Sequence, residues 1–146
     1  DLYSSRGLGD VYKRQMDNRR TKFDPLWNSL VISGWDYVEK KPFLGCVGMI
    51  GQHYVDDHVA TGFGNHLARP LFRESWKEDM TEQEAEKLLK SALLSCVMRD
   101  KMMMNKFQLS KVTADGPGEI SEPFAIETRW GYESYVNPTK FAPGAW

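Results

Sequence analysis

The sequence predicts an α+β domain: antiparallel sheet covered by helices. Three observations carry that expectation. Segments with the pattern of strands come first as a group of three, then two helical segments, then two more strands. Strands and helices are therefore segregated, where a doubly wound parallel sheet would alternate them. One of the helical segments carries an unbroken apolar stripe that has to be buried against something.

The 146 residues hold one domain at most. Charge is balanced, with 19 Lys+Arg against 20 Asp+Glu, so no basic face favours nucleic acid or an anionic membrane surface. Hydrophobic residues make up 41%, enough for a packed core and too many for a disordered chain. No apolar run approaches the roughly 18 residues of a membrane span. Cys46 and Cys96 sit in apolar segments without metal-ligand spacing, and are expected to be buried thiols.

Residues 1–15 show no clear helix or strand period. The run DVYKRQ at 10–15 back-translates in one frame to GAT-GTG-TAT-AAG-AGA-CAG, which resembles the mosaic-end adapter of transposase-based sequencing libraries. Residues 1–15 are therefore expected to be a non-native segment and are set aside in predicting the fold. Residues 16–22 look like the polar end of a helix whose start is missing, broken by Asp24-Pro25.

The following elements are predicted in order. Residues 26–35 are rich in β-branched and large apolar side chains and form a strand. A charged turn at 36–42 ends in proline. Residues 43–50 form a second strand, in which Gly45 and Gly48 mark close backbone approach or a bulge. After Gly51-Gln52, residues 53–60 form a third, short strand. A helix over 65–76 has Asn65 as N-cap and Pro70 near its first turn, so that it starts late or bends there. The clearest helix follows Thr81. Thr81 and Glu84 form a capping box, in which hydroxyl and carboxylate each satisfy one orphan amide. Ala85, Leu88, Leu89, Ala92, Leu93, Cys96 and Val97 recur at spacings of three and four. Burying each Leu or Val stabilises by roughly 1.5–3 kcal/mol, so this face needs a partner, and a sheet is the expected one. Residues 106–113 alternate as a strand. Asp115-Gly116-Pro117-Gly118 is a turn, and 119–128 is a last strand with Pro123 at an edge or bulge. Residues 131–146 have no period but hold four aromatics, the composition of a tail that docks on a partner.

Several constellations could carry chemistry. Gly62-Phe63-Gly64 precedes a helix, as phosphate-binding turns do, but Leu67 stands where a dinucleotide fingerprint needs its third glycine. His53 and His58, with Asp56 and Asp57 between them, are expected to be surface polar residues of a hairpin rather than metal ligands. There is no Gly-x-Ser-x-Gly elbow. Arg99-Asp100 at the end of the long helix is either a solvated terminus or a carboxylate at the lip of a site. Met102-Met103-Met104 is flexible apolar filler.

Four segments together resemble the proteasome beta subunits. They are KFDPLWNSLVISG (22–34), KPFLGCVGMIGQHYVDDHVATGFGNHLARPLFRE (41–74), MRDKMMMNKFQLSKVTADG (98–116) and FAIETRW (124–130). Within the family the match is to the type at the seventh place of the beta ring, and it spans nearly all of 16–130. The resemblance implies the C-terminal half of an N-terminal nucleophile hydrolase αββα sandwich. It places 16–130 in the beta-subunit domain and 131–146 in a C-terminal tail. Active relatives use an N-terminal threonine with a lysine and an aspartate, all in the half of the domain absent here. Their C-terminal half adds a serine in the glycine turn, then an aspartate and a serine after the long helix. The matching positions here are Phe63, Asp100 and Met103. A phenylalanine and a methionine cannot hold a hydroxyl-bonded network, so the site is expected to be degenerate, with Asp100 kept as structural glue to Arg99 or to neighbouring backbone.

The resemblance further implies a non-catalytic structural subunit of the 20S core particle, working in ubiquitin-dependent degradation in cytoplasm and nucleus. Its partners would be other proteasome alpha and beta subunits, with no cofactor, nucleic acid or membrane. Tyr132, Tyr135, Phe141 and Trp146 are the expected tail anchors. Two rival readings stand beside it. One is an active threonine peptidase of the same fold, which a processed Gly-Thr junction upstream would support. The other is a small nucleotide-binding module at Gly62 and Gly64, which a thermal-shift titration would detect. A half domain should also expose an apolar patch beyond the ~300–600 Å² of ordinary monomers.

Overall fold

The computed structural model describes residues 4–24, 26–132, 136–140 and 142–144. It begins with helix α1 (Ser4–Thr21). The helix runs unbroken across position 15, where the sequence shows helical character only over 16–22. Its period is hard to see because the face turned inward is only partly apolar. Tyr12, Gln15 and Met16, at spacings of three and four, all point at the sheet. The Tyr12 ring packs tilted against His53 at 4.6 Å, Gln15 is buried, and Met16 lies against Gly51. Gln15 Nε2 donates to Asn28 Oδ1 at 2.6 Å, so its amide nitrogen has a side-chain partner under the helix, while its Oε1 is buried without one. The chain leaves α1 through Phe23, whose φ of 51° is left-handed, and Asp24 N–H donates to Asn18 O.

Three antiparallel strands follow in the order β1-β2-β3. Strand β1 (Leu30–Asp36) pairs with β2 (Lys41–Val47) in a register running from Leu30↔Val47 to Asp36↔Lys41. The connecting turn is set by Asp36: its Oδ1 accepts the N–H groups of Val38 at 2.8 Å and Glu39 at 3.1 Å. Pro42 lies inside β2, opposite Trp35, rather than closing the turn. Strand β2 is central, so its end is buried at Gly45, Cys46 and Val47. Gly48 sits one residue beyond the strand and shows the close approach expected there. Its N–H donates to Gln52 O at 2.8 Å, and a Cβ would meet Gln52 Cγ at 2.9 Å. Gly51, at φ 80°, needs the freedom of glycine to close this turn.

Strand β3 is shorter than its sequence predicts, covering His53–Val55. Asp56 still donates its N–H to Leu44 O, but its carboxylate turns to Arg69, and the chain leaves the ladder there. The single helix predicted over 65–76 is two: α2 (Gly64–Leu67) and α3 (Arg69–Ser75). Asn65 lies inside α2 and does not cap it; the cap position is Phe63, which offers no side-chain bond. Pro70 falls in the first turn of α3, where its missing amide costs nothing, so the break comes at Ala68.

Helix α4 (Glu82–Arg99) carries the capping box the sequence encodes. Thr81 N–H donates to Glu84 Oε2 at 2.8 Å, and Glu84 N–H to Thr81 Oγ1 at 3.4 Å. Its apolar stripe first meets helix, not sheet. Ala92 and Cys96 form the buried core cluster with Ala68 and Phe72, flanked by Ala60, Leu67, Leu71, Leu88 and Met103. Leu44 of β2 joins Phe72, Leu88 and Leu89 around a cavity of about 360 Å³ between sheet and helices.

A second, two-stranded sheet pairs β4 (Ser110–Thr113) with β5 (Gly116–Ile120). The turn is two residues, between Thr113 and Gly116, so Gly116-Pro117-Gly118 lies in β5 and not in the turn. The pairing continues outside the ladder through a Phe107↔Phe124 bridge and through Asn105, which bonds both N–H and C=O of Ile126. The architecture is thus α+β with antiparallel sheets, as predicted.

The surface is not closed. The accessible area is 11,546 Å² for 16.8 kDa. A compact monomer of that mass would show roughly 7,700 Å². Phe23 at 90% and Trp27 at 81% exposure are the largest unburied aromatics of the α1–β1 connection.

Candidate functional site

The glycine turn, the end of α4 and the loop after it converge on one cavity. Its volume is about 450 Å³, and Gly62, Phe63, Gly64, Phe72, Cys96, Asp100 and Met103 are among the residues lining it. The three positions singled out in the sequence, Phe63, Asp100 and Met103, are therefore neighbours in space, although up to 40 positions apart in the chain.

Each arrives there for a local reason. Gly62 has φ 59°, a left-handed conformation that turns the chain sharply into α2. Gly64 lies so close to Ala60 that a Cβ would sit 3.3 Å from the alanine methyl. Between them Phe63 is carried to the cavity mouth, 65% exposed. Asp100 caps the C-terminus of α4 in extended conformation, with its N–H still donating to Cys96 O at 2.8 Å. Its Oδ1 accepts Met102 N–H at 2.9 Å, and its backbone carbonyl accepts Met103 N–H at 3.2 Å. Of the two glue partners expected for Asp100, neighbouring backbone is the one the structure shows. Met103 turns inward and packs on the Ala68–Phe72–Ala92–Cys96 cluster.

The chemistry available in this cavity is limited. The wall is mainly apolar, formed by Ala68, Phe72, Leu89, Ala92 and Leu93. Cys96 is its thiol, and burial first, then the Asp100 carboxylate, pushes that thiol above its ordinary range. A raised thiol pKa leaves little thiolate at neutral pH, so Cys96 is a poor nucleophile. Cys46 and Cys96 are both buried and unbridged.

The turn is also unsuited to phosphate. The N–H groups of Gly64, Asn65, His66 and Leu67 already donate to Thr61 O, Gly62 O and Phe63 O. A phosphate cradle needs such amides free. The histidines diverge: His53 packs tilted against Tyr12 of α1, and His58 faces Phe72 at 6.0 Å. Among the described residues no three His, Cys, Asp or Glu side chains gather closely enough to hold a metal ion.

A polar strut beside the site has no signal in the local sequence. Arg69 Nη2 donates to Asp56 Oδ2 at 2.8 Å, and its guanidinium lies 5.6 Å over the Tyr54 ring. This ties the end of β3 to the start of α3 and holds the glycine turn between them. Burial, and the neighbouring Cys46, raise the Tyr54 hydroxyl above the usual tyrosine range. No local pattern joins positions 13 apart in a strand end and a helix start, so only the fold reveals this pair. Cys96 and Asp100, by contrast, are four apart on one helix face, which places both at the cavity. Of the tail anchors, Tyr132 is half exposed, with its carbonyl accepting Val136 N–H at 3.0 Å. Tyr135, Phe141 and Trp146 lie outside the described residues.

The family model described as "Proteasome subunit" matches residues 11–112, and the chain belongs to that family. Among individual proteins, the chain is 46% identical to proteasome subunit beta type-4 of Arabidopsis thaliana over 133 residues, 91% of this chain and 53% of that protein. It is 37% identical to the beta type-4 subunit of Xenopus laevis over 88% of this chain and 52% of that one. For the beta type-4 subunit of Dictyostelium discoideum the identity is 36%, over 86% and 48%. The chain thus spans about half the length of the curated relatives it matches.

Proposed function

We propose that this chain is the C-terminal half of a non-catalytic beta subunit of the 20S proteasome core particle, of the beta type-4 kind. In this reading residues 16–130 belong to the beta-subunit domain, within an αββα sandwich, and 1–15 are a non-native segment. Residues 131–146 are a tail that docks through Tyr132, Tyr135, Phe141 and Trp146. Its partners are the other alpha and beta subunits of the stacked rings, and its work is structural support of ubiquitin-dependent degradation in cytoplasm and nucleus.

The observation that carries the reading is the cavity. Phe63 and Met103 occupy the positions at which the resemblance to active beta subunits calls for hydroxyls, and both face a mainly apolar space of about 450 Å³. The one carboxylate there, Asp100, is engaged with Met102 N–H. A network that orients an amine or activates a hydroxyl needs donors and acceptors that these side chains lack. The half-length match and the excess accessible surface support the half-domain assignment, since an incomplete sandwich leaves faces that the rest of the domain and neighbouring subunits would cover.

The test is a tagged chain carrying Asp100→Asn, followed into particles by co-sedimentation with the other subunits. The proposal expects incorporation with peptide hydrolysis per particle unchanged. A chain that never enters ring-sized particles would defeat the structural role. Loss of one class of peptidase activity in particles carrying the variant would favour the active-peptidase reading instead.

A further inference from the structure

Seven methionines are present, and only two of them, Met102 and Met104, are exposed, at 83% and 74%. They flank Met103 in the loop that follows α4. Exposure alternates across the turn that ends α4: Met102 and Met104 face solvent, while Met103 is partly buried and packs inward. Met103 packs on the core cluster that joins α3 to α4 and lines the 450 Å³ cavity. The loop is fixed by two bonds, Met102 N–H to Asp100 Oδ1 and Met103 N–H to Asp100 O, so this inside–outside order is set by the helix end.

We propose that this loop is a two-stage oxidation site for peroxides. Met102 and Met104 are the surface acceptors, and Met103 is the inner member whose oxidation unpacks α3 from α4. In each step a thioether lone pair attacks one oxygen of the peroxide. An S–O bond forms as the O–O bond breaks, and the sulfur loses two electrons. For hydrogen peroxide the sulfur-bound hydroxyl then passes its proton to the departing hydroxide, giving a sulfoxide and one water. At Met102 and Met104 the new polar oxygen meets solvent and costs the fold little. At Met103 it would enter a mainly apolar wall formed by Ala68, Phe72, Ala92 and Cys96, whose one donor is the weak Cys96 thiol. The inference is independent of whether the subunit has peptidase activity.

The experiment treats the full chain with limiting hydrogen peroxide and follows each methionine by peptide mass mapping, with amide hydrogen exchange read on the same samples. Met102 and Met104 should each gain one oxygen first, while Met16, Met49, Met80, Met98 and Met103 stay reduced and exchange across α3 and α4 is unchanged. Only when Met103 takes up oxygen should exchange in both helices accelerate together. Met103→Leu, which keeps an apolar side chain of similar volume, should abolish that acceleration while leaving the first stage intact. Met102→Leu/Met104→Leu, at two exposed positions, should remove the first stage alone. Equal oxidation of Met103 and its neighbours from the outset would overturn the proposal. So would accelerated exchange that persists in Met103→Leu, or Met103 oxidation with exchange unchanged.

Discussion

Replacing Phe72 by alanine tests whether the α3–α4 contact is the core of this chain. Phe72 is buried among Ala68, Ala92 and Cys96, and it lines both the 450 Å³ and the 360 Å³ cavities. Removing the ring forfeits a transfer term of about 1.5–3 kcal/mol. It also joins two existing spaces into one trench. A sealed void would add the full cavity penalty, but here water can enter from both sides, which limits that addition. The expected cost is therefore about 3 kcal/mol, the lower end of the 3–5 kcal/mol range for such truncations. With urea slopes of about 1–3 kcal/mol/M, the unfolding midpoint should fall by roughly 1–3 M. Tryptophan fluorescence reports the transition, and Trp76 is the C-cap residue of the same helix, its N–H donating to Phe72 O. Phe63→Ala is the internal control: the same ring is lost at the exposed cavity mouth, and the cost should stay within about 0.5 kcal/mol. A midpoint shift for Phe72→Ala no larger than that of Phe63→Ala would refute the assignment of the core.

Two further outcomes follow from other parts of the structure. Thr81→Ala removes the oxygen that caps Glu84 N–H, and should lower stability by about 0.5–2 kcal/mol, measured by urea titration, with faster amide exchange confined to the first turn of α4. Tyr54 holds its proton more tightly when folded than when unfolded, because burial and Cys46 disfavour the phenolate. Its contribution is thus fully present below the ordinary tyrosine value of about 10 and is lost as pH rises above it. Tyr54→Phe should flatten that alkaline decline in the unfolding midpoint, and an identical slope in both proteins would contradict the burial of the hydroxyl.

The amino-acid order by itself determined the elements whose signals are local. The capping box needs two side chains three residues apart, and Thr81 and Glu84 supply them whatever the rest of the chain does. The stripe from Ala85 to Val97 shows in the sequence because a helix repeats every three to four residues. The glycine turn and the helix-ending Asp100 were legible as candidate positions for the same reason. Tertiary structure decided what local signals do not contain. It closed β3 after Val55, because the Asp56 carboxylate found Arg69. It made a helix of residues 4–15 by giving Tyr12, Gln15 and Met16 a sheet and a side-chain amide to rest on. It set α4 against α3 before any strand, and it drew Phe63, Asp100 and Met103 to one cavity. Burial and long-range pairing are properties of the assembled chain, and periodicity marks a face that must be covered without naming what covers it.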